Sequence, residues 1–251
     1  MLIESKSLRN RRKKIFFFFL LLVFLLVGAF FLYLFVSLPD ISGLIKHNPK
    51  TTALIQLRIK NAQKKGQTLE IRQQWVSFSN IPQLLKNTVR VTEDASFYWH
   101  KGIDFEELKE SIKKNLQVGK LARGGSTITQ QLAKNLYLST EKSLFRKIKE
   151  YLIARRLEKK LSKDRIFELY LNMIELGPGV FGVQAASQYY FGLDVGDLTM
   201  EQMVRLAAII PQPLRTNPVL ESRWLKWKCS WILGKLKLYK YISEEEYAET
   251  I

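Results

Sequence analysis

Two short stretches of this sequence hold most of the side chains that could perform chemistry. The first, residues 93–104, places the adjacent carboxylates Glu93 and Asp94 shortly before His100. The second, residues 124–136, is a Gly-Gly-Ser-Thr turn followed by a segment rich in hydroxyl, amide and ammonium groups. A helix that only packs needs far fewer polar groups on one face. Together the two stretches favour proton transfer beside a bound anion.

The Glu93–Asp94 pair lies in apolar sequence, although adjacent carboxylates are most often solvated surface acids. The flanking apolar residues are Val89, Val91, Phe97, Tyr98 and Trp99. Burial among them would raise the pKa of a carboxyl group toward the range useful to a general base. Because consecutive side chains point in different directions, only one of the two carboxylates is expected to face a substrate. His100 is interpreted as a hydrogen-bonded structural histidine, with a role as base as the alternative.

Residues 126–138 predict a helix with one polar face. With about 100° per residue, that face holds Thr127, Gln130, Gln131, Lys134 and Leu138. The N–H groups at the helix start after Gly124-Gly125, together with the charge of Lys134, predict an anion-binding surface. It is not a nucleotide P-loop, since no Gly-Lys-Ser/Thr sequence follows. The alternative is an ordinary amphipathic helix whose polar residues face solvent.

Arg146 and Glu150 are spaced as an ion pair on one face of a helix. The apolar residues on the same stripe are Ile153, Ala154 and Leu157. A surface pair of this kind contributes only a few tenths of a kcal/mol. The apolar stripe favours instead a pair that faces inward, where charges are costly and functional sites concentrate.

The chain begins with a basic segment and an apolar one. Residues 1–14 contain six basic residues and one acidic residue, and the 22 residues from 15 to 36 contain no charge. At about 1.5 Å per residue the apolar run spans a hydrocarbon core of roughly 30 Å. It is too long for the apolar region of a cleaved signal peptide. We therefore expect an uncleaved anchor, and the basic flank predicts a cytoplasmic N-terminus.

The net charge of +17 comes from 40 basic and 23 acidic residues. Most of the excess lies beyond the anchor, in the part predicted to face away from the cytoplasm, where nucleic acid is rarely met. The basic residues are also scattered, without the interleaved aromatics of a nucleic-acid stacking platform. Anionic lipid phosphate is therefore the favoured partner. The single cysteine, Cys229, excludes an internal disulfide and shows no metal-site spacing.

Beyond the anchor the pattern predicts one mostly helical domain. Residues 37–50 predict a short stalk, and the β-branched and aromatic residues of 51–60 and 68–78 predict two extended segments around a turn. Helices are predicted at about 126–138, 144–161, 163–173, 182–190 and 200–210. Residues 170–192 are interpreted as scaffold without chemistry.

Four ordered blocks resemble the peptidoglycan glycosyltransferases, which polymerise lipid-linked disaccharide into cell-wall glycan strands. The blocks are Glu-Asp-x-x-Phe-x-x-His-x-Gly-x-Asp at 93–104, Gly-Gly-Ser-Thr-Ile-Thr-Gln-Gln-x-x-Lys-Asn at 124–135, Arg-Lys-x-x-Glu at 146–150, and a block from Tyr-Leu-Asn to Tyr-Phe-Gly at 170–192. Four blocks of this length, in this order, would very rarely occur together by chance. No Lys-Thr-Gly or Ser-Asp-Asn motif of a penicillin-binding transpeptidase occurs, so the chain resembles the monofunctional biosynthetic type.

The resemblance implies a mostly α, lysozyme-like glycosyltransferase domain with two lobes around a cleft, assigned to residues 51–251. It implies that Glu93 is the general base and that Glu150 is the second essential carboxylate. The residues implied to bind pyrophosphate and sugars are Ser126, Thr127, Gln131, Lys134, Arg146 and Lys147, with Asp94, Phe97 and His100 in support. Lys142 falls where some members have a further phosphate-contacting residue.

The resemblance further implies polymerisation of lipid II into glycan strands, with inversion at the anomeric carbon and release of undecaprenyl pyrophosphate. The expected place is the inner membrane, with the catalytic domain on its periplasmic side. Expected partners are lipid II, the growing strand, membrane lipid and other cell-wall or division proteins, but not nucleic acid. No cofactor is expected, and the sequence does not show whether Mg²⁺ or Mn²⁺ assists. The alternatives are a lysozyme-like lytic transglycosylase and a non-enzymatic cell-wall scaffold.

Overall fold

The computed structural model describes residues 2–118, 125–141 and 143–250 and divides the chain into two units. The first unit, Met1–Pro39, contains helix α1, Leu2–Val36. Within it, Arg11–Val36 is long and apolar enough to cross a membrane, with a mean hydropathy of 3.1. The proposed boundaries between basic tail, anchor and stalk stay predictions.

The second unit, Asp40–Ile251, is mostly helical, which confirms the predicted fold class. Its helices are α2 (Ala53–Gln63), α3 (Gln83–Glu93), α4 (Phe105–Val118), α5 (Ile128–Tyr137), α6 (Leu144–Lys160), α7 (Lys163–Met173), α8 (Val183–Phe191), α9 (Met200–Ile209), α10 (Arg223–Leu238) and α11 (Glu244–Thr250). The helices predicted between residues 126 and 210 are confirmed, with ends that differ by two residues or fewer.

The prediction of an extended segment at 51–60 is wrong, because most of these residues belong to α2. Thr52 caps the helix, and its Oγ1 accepts a hydrogen bond from the Ile55 N–H at 3.0 Å. Ile55 is buried in a cluster with Phe181. The β-branched residues suggested a strand, but packing of one helix face outweighs that weak local preference.

Three short strands form a small sheet in the order β1-β3-β2. They are β1 (Arg72–Gln73), β2 (Glu175–Gly177) and β3 (Val180–Phe181). β1 runs parallel to β3, and β2 pairs with β3 antiparallel. The predicted extended segment at 68–78 is therefore strand only at β1. After β3 the chain needs glycine, since Gly182 has a φ of +85° and a Cβ there would lie 2.6 Å from the Asn172 carbonyl oxygen.

The helices of this unit fall into two groups. In the first, α5 packs against α2, α6 and α7, and in the second, α3 packs against α9 and α10. Helix α8 contacts α7 of the first group and α9 of the second. Each group buries its own apolar residues, so a groove between them can hold polar side chains without breaking a core.

Asn172 joins α7 to the segment that precedes α3. Its side chain is fully buried, and its Oδ1 accepts from the Val76 N–H at 2.8 Å while its Nδ2 donates to the Val76 carbonyl at 2.9 Å. A buried backbone N–H and C=O that find no other partner each cost free energy, so one amide satisfies both.

We predict that Asn172→Ala lowers the free energy of unfolding by about 3 kcal/mol, since both Val76 groups lose their partner in a dry site. Denaturant unfolding of the detergent-solubilised protein measures the loss. Asn61→Ala on the exposed face of α2 is the matched control and should change stability by less than about 0.5 kcal/mol. Equal effects of the two substitutions would contradict the assigned role of Asn172.

Candidate active site

A cleft of about 1080 Å³ opens where the two helix groups meet. Its walls come from the end of α3, the start of α4, the segment entering α5 and one face of α10. Glu93, Ser126, Gln131 and Lys228 are among the polar side chains on these walls. Within the described residues this is where the predicted general base lies.

Glu93 is the last residue of α3, and its half-buried carboxylate is held by an amide. The Gln131 Nε2 donates to Glu93 Oε2 at 2.9 Å, and the Tyr170 hydroxyl donates to Gln131 Oε1 at 3.1 Å. Because Tyr170 donates to the amide oxygen, the amide nitrogen faces Glu93. Burial raises the pKa of Glu93 above its ordinary value of 4.5, against the opposing influence of the Gln131 hydrogen bond and of Lys228 and Lys134.

Asp94 lies next to Glu93 but faces the protein interior, so the two carboxylates do point in different directions. It is 7% exposed, and its carboxylate accepts from the His100 Nε2 and from the Ile128 N–H, each at 3.0 Å. The His100 Nδ1 accepts from the Gly102 N–H at 3.1 Å, so the proton of the neutral ring sits on Nε2. Asp94 and His100 therefore hold each other in place and connect the loop after α3 to the start of α5.

The prediction that the N–H groups at the start of this helix are free to bind an anion is wrong. Helix α5 begins at Ile128, and Thr127 is its N-cap: the Thr127 Oγ1 accepts from the Gln130 N–H at 3.2 Å and donates to the Gly102 carbonyl at 2.8 Å. The Ile128 N–H is bound to Asp94. The anion at the start of this helix is therefore the buried Asp94 carboxylate of the protein itself, which the helix dipole stabilises. Gly124 lies outside the described residues.

A buried carboxylate organises the basic residues of α6. Glu150 is 2% exposed and accepts from the Arg146 Nη1 at 2.6 Å and from the Lys147 Nζ. The Lys147 Nζ also donates to the Ser126 Oγ at 2.9 Å, and Ser126 lies on the cleft wall. This confirms that the Arg146–Glu150 pair faces inward, and it connects the cluster to the cleft through Ser126.

Lys134 lies between Glu93 and this cluster. It is half-buried, and no described residue forms a hydrogen bond or ion pair with its ammonium group. Burial lowers the pKa of its ammonium group, against the opposing charges of Glu150 and Glu93. An unpaired, partly desolvated cation is costly unless an anion binds beside it. Lys142 lies outside the described residues.

The predicted apolar surroundings of Glu93 are only partly correct. Phe97 is fully buried, with its ring 5.4 Å from that of Phe167, and Val89 and Val91 are buried as well. Trp99, however, is 87% exposed. In the loop after α3, Phe97 is buried but the next two residues, Tyr98 and Trp99, are exposed, so closeness in sequence overstated the apolar cover of Glu93.

Sequence reasoning missed four residues of the site. Tyr170, interpreted as scaffold, supports Gln131, while Trp227, Lys228 and Trp231 of α10 line the cleft. The signal for Tyr170 is weak, because a tyrosine on an apolar helix face is most often core. The three residues of α10 lie in a short basic segment that contains tryptophan, but nothing in the local pattern shows that this face of the helix meets Glu93.

A metal site is not evident in the described part of the chain, where no three His, Cys, Asp or Glu side chains are grouped to hold an ion. The expectation that no cofactor is required stays a prediction.

The transglycosylase family model matches residues 61–237. The biosynthetic peptidoglycan transglycosylase of Nitrosomonas eutropha is 44% identical over 194 residues, which cover 77% of this chain and 80% of that protein. The protein of the same name from Nitrosospira multiformis is 39% identical over 210 residues, which cover 84% of this chain and 91% of that protein.

Among solved structures, penicillin-binding protein 1A from Haemophilus influenzae aligns with 73% of this chain and 18% of its own length, at 23% identity and a TM-score of 0.43. That structural likeness is too low to support an inference. The family match and the identities to the two relatives are sufficient by themselves, and they show that this chain belongs to the transglycosylase family.

Proposed function

We infer that this member of the transglycosylase family is a peptidoglycan glycosyltransferase that polymerises lipid II into glycan strands. The observation that carries the mechanism is the Glu93 carboxylate, which lies in the cleft with a raised pKa and one fixed amide partner. A carboxylate in this state accepts a proton more readily than a solvated one.

The reaction begins when Glu93 takes the proton of the 4-hydroxyl group of the acceptor sugar. The freed oxygen forms a bond with the anomeric carbon of the growing strand, and the bond from that carbon to the pyrophosphate oxygen breaks. The electron pair of that bond leaves with undecaprenyl pyrophosphate. A single displacement from the opposite face inverts the anomeric carbon.

The basic cluster stabilises the leaving group. Lys134, Arg146 and Lys147 supply the cations toward which negative charge grows as the pyrophosphate departs. Glu150 holds Arg146 and Lys147 through its buried ion pairs, so they need little rearrangement when the substrate binds. Its role in this proposal is to position these cations. The base and the cations are side chains of the chain itself, and the proposal needs no cofactor.

The same cluster argues against a lysozyme-like hydrolase or lytic transglycosylase. Such enzymes act on neutral glycosidic bonds and have no pyrophosphate to hold. A cell-wall scaffold would have no use for a buried general base. Polymerisation is the activity that uses both the Glu93 site and the unpaired charge of Lys134.

We further propose that α1 anchors the enzyme in the inner membrane, with its N-terminus in the cytoplasm and the domain on the periplasmic side. The apolar span and the basic residues before it support this orientation. An anchor keeps the domain beside a lipid-linked substrate and raises its effective concentration. Membrane lipid and other cell-wall synthesis or division proteins are the proposed further partners.

The decisive experiment is incubation of the purified full chain with lipid-linked disaccharide-peptide, with polymer length read on gels. A parallel incubation with finished cell wall shows whether soluble fragments are released. Polymer without fragments supports the proposal, whereas fragments without polymer would identify a lytic enzyme.

We predict that Glu93→Gln lowers the polymerisation rate by about 10² to 10⁴-fold, because glutamine keeps the size but accepts no proton. Its melting temperature should change little, since the half-buried group loses no required ion pair. Asp94→Asn is the matched comparison and should lose stability, because its buried carboxylate accepts from His100 and Ile128. A near wild-type rate for Glu93→Gln would exclude Glu93 as the base.

We predict that Glu150→Gln, unlike Glu93→Gln, mainly lowers stability. Its free energy of unfolding should fall by about 1–3 kcal/mol, because Arg146 and Lys147 lose their shared carboxylate acceptor. Thermal unfolding tests this directly. Glu201→Gln is the control, because Glu201 also pairs with an arginine four residues away but its side chain is 61% exposed; its loss should stay below about 1 kcal/mol. No difference between these two variants would refute the positioning role.

We predict that Lys134→Ala weakens binding of a lipid-pyrophosphate analogue by about 1.5–3 kcal/mol, since a charge-assisted contact is lost. Titration of the analogue against the detergent-solubilised protein measures the effect. Lys159→Ala, at an exposed position of α6, is the control and should bind as the wild type does. Unchanged affinity in Lys134→Ala would count against a phosphate role for Lys134.

A further inference from the structure

Helix α10 brings a cation and two aromatic rings to the wall of the catalytic cleft. Trp227 and Trp231 line the cleft and are 60% and 38% exposed, and Lys228 lies between them in sequence and lines the same cleft as Glu93. Nothing in the proposed mechanism uses this helix. Its basic, tryptophan-rich sequence therefore needs its own explanation.

Lys228 places an ammonium group inside the cleft, where burial lowers its pKa and the charge of Glu93 opposes that effect. It is half-buried, and among the described residues it has neither a hydrogen-bond acceptor nor a carboxylate partner. Its ammonium group lies 4.1 Å from the centroid of the Trp231 ring. A cation–π contact holds an ammonium group in place while leaving its charge intact. Lys226, two residues earlier, differs because it is exposed and pairs with Glu221 at 3.3 Å.

The charges that act on Glu93 come from three helices. Burial and the neighbouring Asp94 at the end of α3 raise its pKa. The Gln131 hydrogen bond lowers it most, followed by the charge of Lys228 on α10 and then by that of Lys134 on α5. From α7, the buried Tyr170 contributes a neutral hydroxyl, since burial raises its own pKa well above 10.0. The other titratable side chains on the cleft wall are Asp104, Glu107, Lys114, Lys235 and Tyr239.

We propose that Lys228 is a positioning residue of the reaction, which keeps the Glu93 carboxylate ionised across the cleft so that it can take the proton of the acceptor hydroxyl. The role rests on the proposed function, because only a base needs to be ionised before the step. Burial and Asp94 favour the protonated acid, which cannot take the hydroxyl proton, and the Gln131 hydrogen bond, Lys228 and Lys134 oppose them. Loss of Lys228 removes the stronger of the two cations and shifts Glu93 toward that acid. The Trp231 ring fixes the ammonium group for this purpose.

The influence of Lys228 on the pKa of Glu93 can be tested without an activity assay, because its direction is known. Removal of the cation raises the pKa of Glu93 further, so Lys228→Met should move the carboxyl titration midpoint to higher pH by about one unit. Carboxyl ¹³C NMR of the full chain, labelled at glutamate, measures this midpoint, and the resonance that vanishes in Glu93→Gln identifies the group. Trp231→Leu, which frees the ammonium group, should give a smaller shift in the same direction.

The rate profile supplies the second readout. In Lys228→Met, the pH at which the polymerisation rate declines on the acid side of its profile (the acid limb) should rise by the same amount. Below that pH the rate should be about tenfold lower than that of the wild type, and above it the two rates should be equal. Lys228→Arg keeps the positive charge and should show the wild-type pH of this decline. Lys226→Met should show the wild-type pH as well. A purely structural role would instead lower the rate equally at every pH.

An unchanged Glu93 midpoint in a folded Lys228→Met protein would overturn the proposal. Lys228→Gln serves as the second neutral variant if the methionine protein does not fold, and an unchanged midpoint there has the same consequence. If the midpoint moves but the wild-type chain makes no polymer, the charge coupling stands and the proposed function falls. The two failures are therefore distinguishable.

Discussion

The buried Asp94 carboxylate is the constraint on which the site depends. It accepts from the His100 ring and from the first N–H of α5, and so it ties the end of α3 to the loop after it and to the start of the next site helix. This tie brings Gln131 within 2.9 Å of Glu93. A free carboxylate in the interior would be costly, and the helix dipole together with two donors makes it tolerable.

The proposed mechanism gives the adjacent carboxylates Glu93 and Asp94 different tasks, because their surroundings differ. Asp94 accepts hydrogen bonds from the His100 ring and from the Ile128 N–H, whereas Glu93 has one amide donor and a partly desolvated position in the cleft. Divergent environments of neighbouring acids are a common way to separate a structural carboxylate from a proton acceptor. The one-residue offset between them is enough, since the end of α3 turns one side chain into the core and the other into the cleft.

Much of this could be read from the sequence, and the failures have physical reasons. The helices from 126 to 210 have caps and apolar periodicity within each segment, so local information suffices for them. Helix α2 was mistaken for strand because its β-branched residues pack against Phe181, a partner more than a hundred residues away. The helix start was mistaken for a free anion site because the donor–acceptor match with Asp94 is also a tertiary contact. Lys228 was missed for the same reason.

The carboxylates near the cleft determine which of the surrounding lysine and arginine side chains have a direct ion-pair partner. Glu150 pairs with Arg146 and Lys147 within α6. Among the residues that the structure describes, the Lys134 ammonium group has no direct partner, and that of Lys228 contacts an aromatic ring but no carboxylate. Two unpaired ammonium groups therefore act on Glu93 from α5 and α10. Desolvated cations of this kind destabilise a fold unless they serve a bound anion or an ionised neighbour. The proposed mechanism has both needs, a departing pyrophosphate and a base that must start ionised, and it assigns them to cations on separate helices.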